Sequence, residues 1–186
     1  MHASDFTVKI FADGADIAGI RKLAADPVIK GFTTNPTLMR KAGLTDYEGF
    51  SKEVLDVIEG RPISFEVFAD DDDNMERQAL KLASWGSNVY VKIPVMTTNG
   101  VSTSALAGRL AAQGVQLNVT AMMTVQQVEE VLPSLAGGPA SYVSLFAGRV
   151  ADTGVDPIPT MKEVLSIIAS EPQIELIWAK IGRAHV

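Results

Sequence analysis

The chain has 186 residues, a formal net charge of −6 and a sequence pI of about 4.9. Its 47% hydrophobic and 20% charged residues are the composition of a folded globular protein and exclude a disordered chain. The negative charge argues against a nucleic-acid partner, and the absence of cysteine excludes disulfides, thiol nucleophiles and zinc–thiolate sites.

The sequence leads us to expect neither a signal peptide nor a membrane span. Residues 1–5 lack the basic and apolar regions of a signal peptide, and no apolar run approaches the ~20 residues that cross a bilayer. We therefore predict a cytoplasmic protein without a membrane partner, with one domain over residues 1–180. Residues 181–186 lack periodicity, and a common sequencing-adapter string would encode them, so we expect a non-native tail there.

Apolar runs bounded by turn residues alternate with amphipathic segments along the chain. The runs predict seven strands: Val8–Asp13, Val28–Asn35, Pro62–Phe68, Asn88–Pro94, Val115–Thr120, Tyr142–Phe146 and Ile174–Ala179. Capping residues and apolar periodicity predict six helices between them: Ile17–Ala25, Thr45–Glu59, Met75–Trp85, Thr103–Gln113, Val125–Leu135 and Thr160–Ala169. This alternation is typical of an α/β fold with parallel strands, either a barrel or a doubly wound sheet.

One polar residue stands at or near the end of most of the predicted strands. Four of them, Glu66, Lys92, Asn118 and Ser144, are spaced 26 residues apart, an interval that suits one strand, one helix and two loops. The others are Asp13, Thr33, Thr34, Asn35, Thr120 and Arg149. Buried polar groups are individually expensive, so a shared active site explains this set better than a purely structural polar layer does.

The residue types limit the chemistry of such a site. The only histidines are His2 and His185, near the two ends of the chain, which argues against histidine-based triads and most transition-metal sites. A desolvated lysine such as Lys92 can attack a ketone to form a Schiff base, whereas a lone strand-end lysine is more often a rim residue. Glu66 and Asp13 are suited to proton transfer, and an arginine to binding phosphate.

An acidic run, Asp70–Asp73, permits two interpretations. Consecutive carboxylates suggest a metal site, but they also favour the first turn of a helix, with Asp73 as the expected cap. We prefer the helix cap, because no other metal-ligand pattern accompanies the run.

Six motifs together resemble the transaldolase family, in the family's order and at compatible spacing. They are Ala12-Asp13, Thr33–Thr37, Ile63–Val67, Val91–Pro94, Leu117–Thr120 and Ser144–Arg149, and the resemblance extends from about Phe11 to Ala179. It implies a (β/α)8 barrel, of which about seven βα units are present and the eighth is missing. It also implies sugar-phosphate substrates, with neither a metal nor an organic cofactor.

By motif position, the resemblance implies a role for four catalytic residues. Lys92 would form a Schiff base with a ketose phosphate, from which a dihydroxyacetone unit passes to an aldose phosphate, a reaction of the pentose phosphate pathway. Asp13 would exchange the proton of the hydroxyl at the bond that is cleaved. Glu66 would act through a water molecule held by Thr120 when the carbinolamine forms and breaks down.

The resemblance implies substrate contacts for the remaining residues. Asn35 and Asn118 would hold hydroxyls of the three-carbon unit, Ser144 its terminal hydroxyl, and Arg149 a phosphate. Two further candidates for substrate binding are Thr33 and Phe146. Phe146 shares the predicted face of Ser144, so core packing and a position in the pocket wall are equally compatible with its spacing.

The chain departs from the family pattern at three places. Met123 stands where an aromatic residue is often found, Leu145 replaces a usual proline, and the final βα unit has no counterpart after Ala179. Two alternatives therefore stay open: an aldolase that releases free dihydroxyacetone, or a non-catalytic sugar-phosphate-binding barrel. The sequence also leaves open whether copies of the chain form a homo-oligomer.

Overall fold

The computed structural model describes residues 7–179, and within them seven parallel strands form one curled sheet, as an incomplete (β/α)8 barrel requires. The strands are hydrogen-bonded in chain order: β1 Ile10–Asp13, β2 Ile29–Thr33, β3 Ile63–Glu66, β4 Val89–Pro94, β5 Leu117–Met122, β6 Ser141–Leu145 and β7 Ile174–Trp178. The fold predicted from the sequence is confirmed. The predicted tail at residues 181–186 lies outside the described residues.

Helices connect consecutive strands within this part of the chain. They are α1 Ile17–Ala24, α2 Pro36–Lys41, α3 Tyr47–Val57, α4 Asp72–Ala83, α5 Ser104–Ala112, α6 Val125–Leu135, α7 Ala147–Asp152 and α8 Ile158–Ile168. The six predicted helices are present, α6 with the predicted ends and the other five with shifted ends, but α2 and α7 were not predicted. Each has six residues, less than two turns, which is too short to show an apolar periodicity. Between residues 7 and 179, no helix is long and apolar enough to cross a membrane.

Capping explains where two of these helices begin. Thr124 and Gln127 form the predicted capping box at the start of α6. The cap predicted for α4 was wrong, because Asp71 and not Asp73 accepts a hydrogen bond from a first-turn amide, that of Asn74 at 3.0 Å. Asp73 already lies within the first turn, where its carboxylate favours the positive end of the helix.

The two faces of the sheet differ in chemistry. Successive side chains on a strand point to opposite faces, and the outward set packs under the helices. This outward set is apolar and buried: Ile63, Phe65, Val89, Val91, Ile93, Leu117, Val119, Val143 and Leu145. The alternate residues face the inside of the curled sheet and are mostly polar or aromatic: Ser64, Glu66, Tyr90, Lys92, Asn118, Thr120, Tyr142 and Ser144.

Aromatic rings fill the inside of the sheet towards the N-terminal ends of the strands. The Tyr142 ring lies 5.5 Å from Phe11 in an edge-on arrangement and 4.3 Å from Tyr90. Gly31 makes room for this cluster, since a Cβ atom there would come within 2.3 Å of the Phe11 ring. These packed rings fill the inside of the sheet below the polar residues.

Arg61 ties together three segments at the opposite end of the sheet from the polar residues. Its guanidinium donates hydrogen bonds to the carbonyl oxygens of Ala24 at 2.7 Å, Ile29 at 3.2 Å and Ile58 at 2.9 Å. It also lies over the Phe32 ring, 5.3 Å from the centroid. One side chain therefore satisfies backbone carbonyls from α1, β2 and the end of α3.

We expect Arg61→Lys to lower the free energy of unfolding by about 2 kcal/mol. A lysine has no planar fork of donors and cannot reach three carbonyls at once, so part-buried carbonyl oxygens lose hydrogen bonds. Urea denaturation measures the loss. Arg77→Lys is the matched control, because the Arg77 guanidinium bonds an exposed neighbour, Asn74, and its replacement should change stability by less than about 0.5 kcal/mol. Equal stability of the two variants would contradict this role for Arg61.

Candidate active site

The polar strand ends surround a cavity of about 210 Å³ at the C-terminal face of the sheet. Its lining comprises Phe11, Asp13, Thr33, Asn35, Lys92, Asn118, Thr120, Ser144, Phe146, Ile177, Trp178 and Ala179. Eight of the ten residues predicted to act in catalysis or substrate binding therefore line one cavity, and Thr34, Glu66 and Arg149 do not line it. In parallel barrels this face carries the catalytic groups, because the strand ends and following loops converge there.

Lys92 and Glu66 form an ion pair beside this cavity. The Lys92 Nζ lies 3.2 Å from the Glu66 Oε2 and donates a hydrogen bond to the Thr34 carbonyl oxygen at 3.3 Å. The two residues are register partners on β4 and β3, so both side chains point to the inside of the sheet. Only 8% of Lys92 is exposed, so its amine is held by two partners with little water around it.

Burial raises the pKa of the Glu66 carboxyl above its ordinary value of 4.5. The charge and hydrogen bond of Lys92 lower that pKa, and the nearby charge of Asp13 raises it, but desolvation is the largest cause. The folded protein therefore binds this proton more tightly than the unfolded chain does. As a result, Glu66 ionisation reduces stability progressively as the pH rises from about 4.5 to the raised pKa.

Asp13 and Thr33 form a second pair at the ends of β1 and β2. The Thr33 hydroxyl donates a hydrogen bond to the Asp13 Oδ1 at 2.8 Å, and the two residues are register partners. Asp13 is exposed towards the cavity mouth, in contrast to the more buried Glu66. The site thus holds two carboxylates in different environments, a difference that suits separate roles in proton transfer.

A chain of hydrogen bonds crosses the inside of the sheet close to Lys92. The Ser144 hydroxyl donates to the Asn118 Oδ1 at 2.6 Å, and the Asn118 Nδ2 donates to the Ser64 hydroxyl at 2.8 Å. All three residues are at least 97% buried. Ser64 is on β3, Asn118 on β5 and Ser144 on β6. The hydrogen bonds between them therefore cross β4, the strand that carries Lys92.

Thr120 differs from these hydrogen-bonded polar residues. Its Oγ1 is buried and, among the described residues, has no hydrogen-bond partner, although Thr120 lines the cavity. The next residue, Ala121, has a φ of 63°, a left-handed conformation that is rare for alanine, at a register irregularity between β5 and β6. An unpaired hydroxyl beside a strained residue is typical of a functional site.

Asn35 and Phe146 occupy the loops that follow β2 and β6. The Asn35 Oδ1 caps α2 by accepting from the Leu38 amide at 2.9 Å, which leaves the amino group of the side chain to donate to a ligand. Phe146 is the residue before α7 and lines the cavity, so of the two positions predicted for it the structure has the pocket wall.

Arg149 lies apart from the other candidates. It is on α7, its side chain is 50% exposed, and its Nη1 lies 3.6 Å from the Asp152 Oδ2. Neither Arg149 nor Glu66 lines the cavity. Glu66 is connected to the cavity by its ion pair with Lys92, which does line it. The structure therefore places Arg149 on the surface outside the cavity, paired only with one exposed carboxylate among the described residues.

Several residues at or beside the site were missed from the sequence. Ser64 is two positions before Glu66 on β3, and strand alternation alone would have placed it on the same face. The Tyr47 hydroxyl donates to the Glu66 carbonyl oxygen at 3.1 Å, and its ring packs edge-on against Phe65 and Trp85. Tyr47 has no sequence signal, because it comes from the separate helix α3.

The acidic run does not form a metal site in the described residues. Asp71 caps α4, and the Asp70 carboxylate accepts hydrogen bonds from the Thr98 amide, at 2.8 Å, and from the Thr98 hydroxyl. Across residues 7–179, no group of three histidine, cysteine, aspartate or glutamate residues is arranged to hold an ion.

Comparison with known proteins shows which family the chain resembles. Residues 10–184 match the family model described as transaldolase/fructose-6-phosphate aldolase. The chain is 38% identical over 181 residues to proteins named "Probable transaldolase" from Streptococcus pyogenes serotype M5 (strain Manfredo), serotype M49 (strain NZ131) and serotype M1. In each case the aligned region covers 96% of this chain and 80% of the relative.

The family model and these relatives show an enzyme of the aldolase and transferase class, and a curled parallel sheet with a lysine and two carboxylates at its C-terminal face is consistent with that class. Within that class, the chain belongs to the transaldolase/fructose-6-phosphate aldolase family. The resemblance inferred from the six motifs is therefore confirmed.

We expect the Glu66 carboxyl to titrate above pH 4.5, as measured by carbon NMR of the labelled side chain. Lys92→Met should move its midpoint further up, because the ammonium that favours the carboxylate is lost. Asp13→Asn should move it down, because a repelling charge is lost. A midpoint at or below 4.5 in the unmodified protein, or the opposite order of the variants, would contradict the proposed balance of burial and charge.

Proposed function

We propose that this chain transfers a dihydroxyacetone unit from a ketose phosphate to an aldose phosphate through a Schiff base on Lys92. The observation that carries the proposal is the buried Lys92 amine, paired with Glu66 and opening onto a cavity lined by hydroxyl, amide and carboxylate groups. Membership of the family supports sugar phosphates as substrates. Fructose 6-phosphate and sedoheptulose 7-phosphate are the proposed donors.

Lys92 is the proposed nucleophile. Its neutral amine adds to the ketone carbon, and loss of water from the carbinolamine gives an imine. When protonated, the imine accepts the electron pair of the adjacent carbon–carbon bond, so that bond breaks and an aldehyde leaves. The enamine that stays on Lys92 then adds to the aldehyde of the acceptor, and hydrolysis of the new imine releases the product. The position of Lys92 supports this role, since its side chain lines the cavity and its amine lies 3.2 Å from a carboxyl group that can exchange its proton.

Glu66 and Thr120 are proposed to handle the water of these steps. Glu66 contacts the Lys92 amine, and its raised pKa lets the carboxyl exchange protons closer to neutral pH. The unpaired Thr120 hydroxyl in the cavity lining supports a bound water at this point, because a buried hydroxyl without a partner is otherwise costly.

Asp13 is proposed to exchange the proton of the hydroxyl at the bond that breaks. Its carboxylate lines the same cavity as Lys92 and is oriented by the Thr33 hydroxyl. The remaining polar groups would hold the three-carbon unit: the Asn35 amino group, the Asn118 amide and the Ser144 hydroxyl. These are the donors and acceptors that carbohydrate hydroxyls require.

Transfer and simple cleavage share the imine and differ in the fate of the three-carbon unit. Glu66, a carboxylate rather than an amide at the water-handling position, favours the transferase over an aldolase that releases dihydroxyacetone. Three further statements stay predictions: that the protein is cytoplasmic, that it acts in the pentose phosphate pathway, and that copies of it form a homo-oligomer.

Borohydride trapping with fructose 6-phosphate tests the proposal. Reduction of the imine should leave a three-carbon secondary amine on Lys92, identified by peptide mass spectrometry, and Lys92→Met should abolish the adduct. Lys162→Met is the matched control, because this exposed lysine on α8 should leave trapping unchanged. No adduct from a folded preparation, or an adduct on another lysine, would overturn the proposal.

The same preparation distinguishes the two activities of the family. With fructose 6-phosphate alone, the transferase should release aldehyde only to the extent of one turnover per chain, and adding an aldose phosphate should restore continuous turnover. Continuous release of free dihydroxyacetone without an acceptor would assign the chain to the aldolase.

Arg149 is proposed to bind the substrate phosphate, because its exposed ion pair with Asp152 is weak enough to exchange. We expect Arg149→Ala to raise KM for fructose 6-phosphate about tenfold, with little effect on unphosphorylated fructose. Arg109→Ala, which removes an exposed arginine paired on the surface with Asp72 and Glu76, is the control. Equal effects on both sugars would refute a phosphate contact.

A further inference from the structure

Ser64 holds a position that none of the proposed roles uses. It lies on β3, two residues before Glu66, and is 1% exposed, so its hydroxyl has no access to bulk water. That hydroxyl accepts the hydrogen bond from the Asn118 Nδ2 at 2.8 Å, across the strand that carries Lys92. Ser64 does not line the cavity, so it reaches a bound substrate only through Asn118.

The contact with Ser64 fixes which end of the Asn118 amide faces Ser144. An asparagine side chain has a donating end and an accepting end, and turning the amide over exchanges them. With the Nδ2 on Ser64, the Oδ1 points to Ser144, whose hydroxyl proton it accepts at 2.6 Å. The proton of Ser144 is then committed to Asn118, and Ser144 has only lone pairs to offer a substrate hydroxyl.

We infer that Ser64 is a positioning residue that orients the Asn118 amide and, through it, makes Ser144 a hydrogen-bond acceptor for the three-carbon unit. This inference rests on the proposed function. The Asn118 amide keeps one N–H for a substrate hydroxyl and Ser144 takes the proton of another, so the pair presents one donor and one acceptor. Without Ser64, the buried Nδ2 loses its partner, and the amide is free to turn over.

The test is Ser64→Ala in the full chain, with steady-state kinetics on fructose 6-phosphate and an aldose phosphate. We expect kcat/KM to fall about tenfold, the effect of one misaligned buried hydrogen-bond chain. Two matched controls also remove a buried serine hydroxyl. The Ser51 hydroxyl has no partner among the described residues, and the Ser141 hydroxyl donates to the Pro139 carbonyl at 3.1 Å, away from the cavity. Both alanine variants should keep the original kcat/KM.

A double-mutant cycle separates positioning from a general structural effect. Asn118→Ala alone should lower kcat/KM about tenfold, and adding Ser64→Ala should lower it little further, because the amide that Ser64 orients is then absent. Independent effects, giving about a hundredfold loss in the double variant, would overturn the inference, as would Ser64→Ala kinetics equal to those of the Ser51 control. If Ser64→Ala does not fold, Ser64→Cys takes its place, with a smaller loss that is again absent in the Asn118→Ala background.

Borohydride trapping keeps the inference distinct from the proposed function. The unmodified protein and Ser64→Ala should both form the adduct on Lys92, since Ser64 does not touch the amine. Absence of the adduct in the unmodified protein overturns the proposed function. An adduct in both proteins, combined with an unchanged kcat/KM in Ser64→Ala, overturns only the role of Ser64.

Discussion

The site depends on the register between β3 and β4, which makes Glu66 and Lys92 neighbours on the inner face of the sheet. An ammonium that is 8% exposed needs a partner, and the carboxylate at 3.2 Å is that partner. A slip of one residue would turn Lys92 outwards among the helices and bring Val91 or Ile93 into the cavity. The apolar residues on either side of Lys92 therefore hold it in place, because their burial under the helices fixes the register.

The same division of faces accounts for how the sheet tolerates so many polar groups. Outside, the apolar side chains form the core with the helices. Inside, most of the polar side chains satisfy one another, as in the Ser144–Asn118–Ser64 chain and the Thr33–Asp13 pair. The exceptions are the unpaired Thr120 hydroxyl and the left-handed Ala121, and both adjoin the cavity. On the inner face, these two unfavourable features thus lie where a substrate or water would compensate for them, whereas the unpaired Ser51 hydroxyl and the left-handed Glu59 lie elsewhere.

The fold alone does not select a reaction, because parallel barrels support many chemistries. The lysine and its two carboxylates narrow the chemistry, and family membership agrees with them. Transfer and cleavage differ only in what reacts with the enamine after the first aldehyde has left. The deciding groups are therefore those that control water and the acceptor, around Glu66, Thr120 and the exposed Met123, rather than the lysine itself.

Local patterns in the sequence predicted seven strands, six helices and most of the polar residues at the strand ends. These features follow from the periods of strand and helix and from capping chemistry, which need only neighbouring residues. The short helices α2 and α7 escaped prediction because six residues carry too little periodicity. The cap of α4 was misplaced by two residues, because all four aspartates of the run are chemically able to serve.

Only the tertiary structure decided which of these residues meet. Glu66, Lys92, Asn118 and Ser144 are equally spaced in the chain, but Asn118 is the register partner of Tyr142 and not of Ser144. Pairing across strands, together with the irregularity near Ala121, sets that offset, and no local pattern contains it. For the same reason, the contact of Ser64 with Asn118 and the three carbonyls held by Arg61 could not be recognised from spacing, and the position of Arg149 outside the cavity could not be foreseen. The sequence by itself determined which chemical groups are available, and packing determined the distances between them.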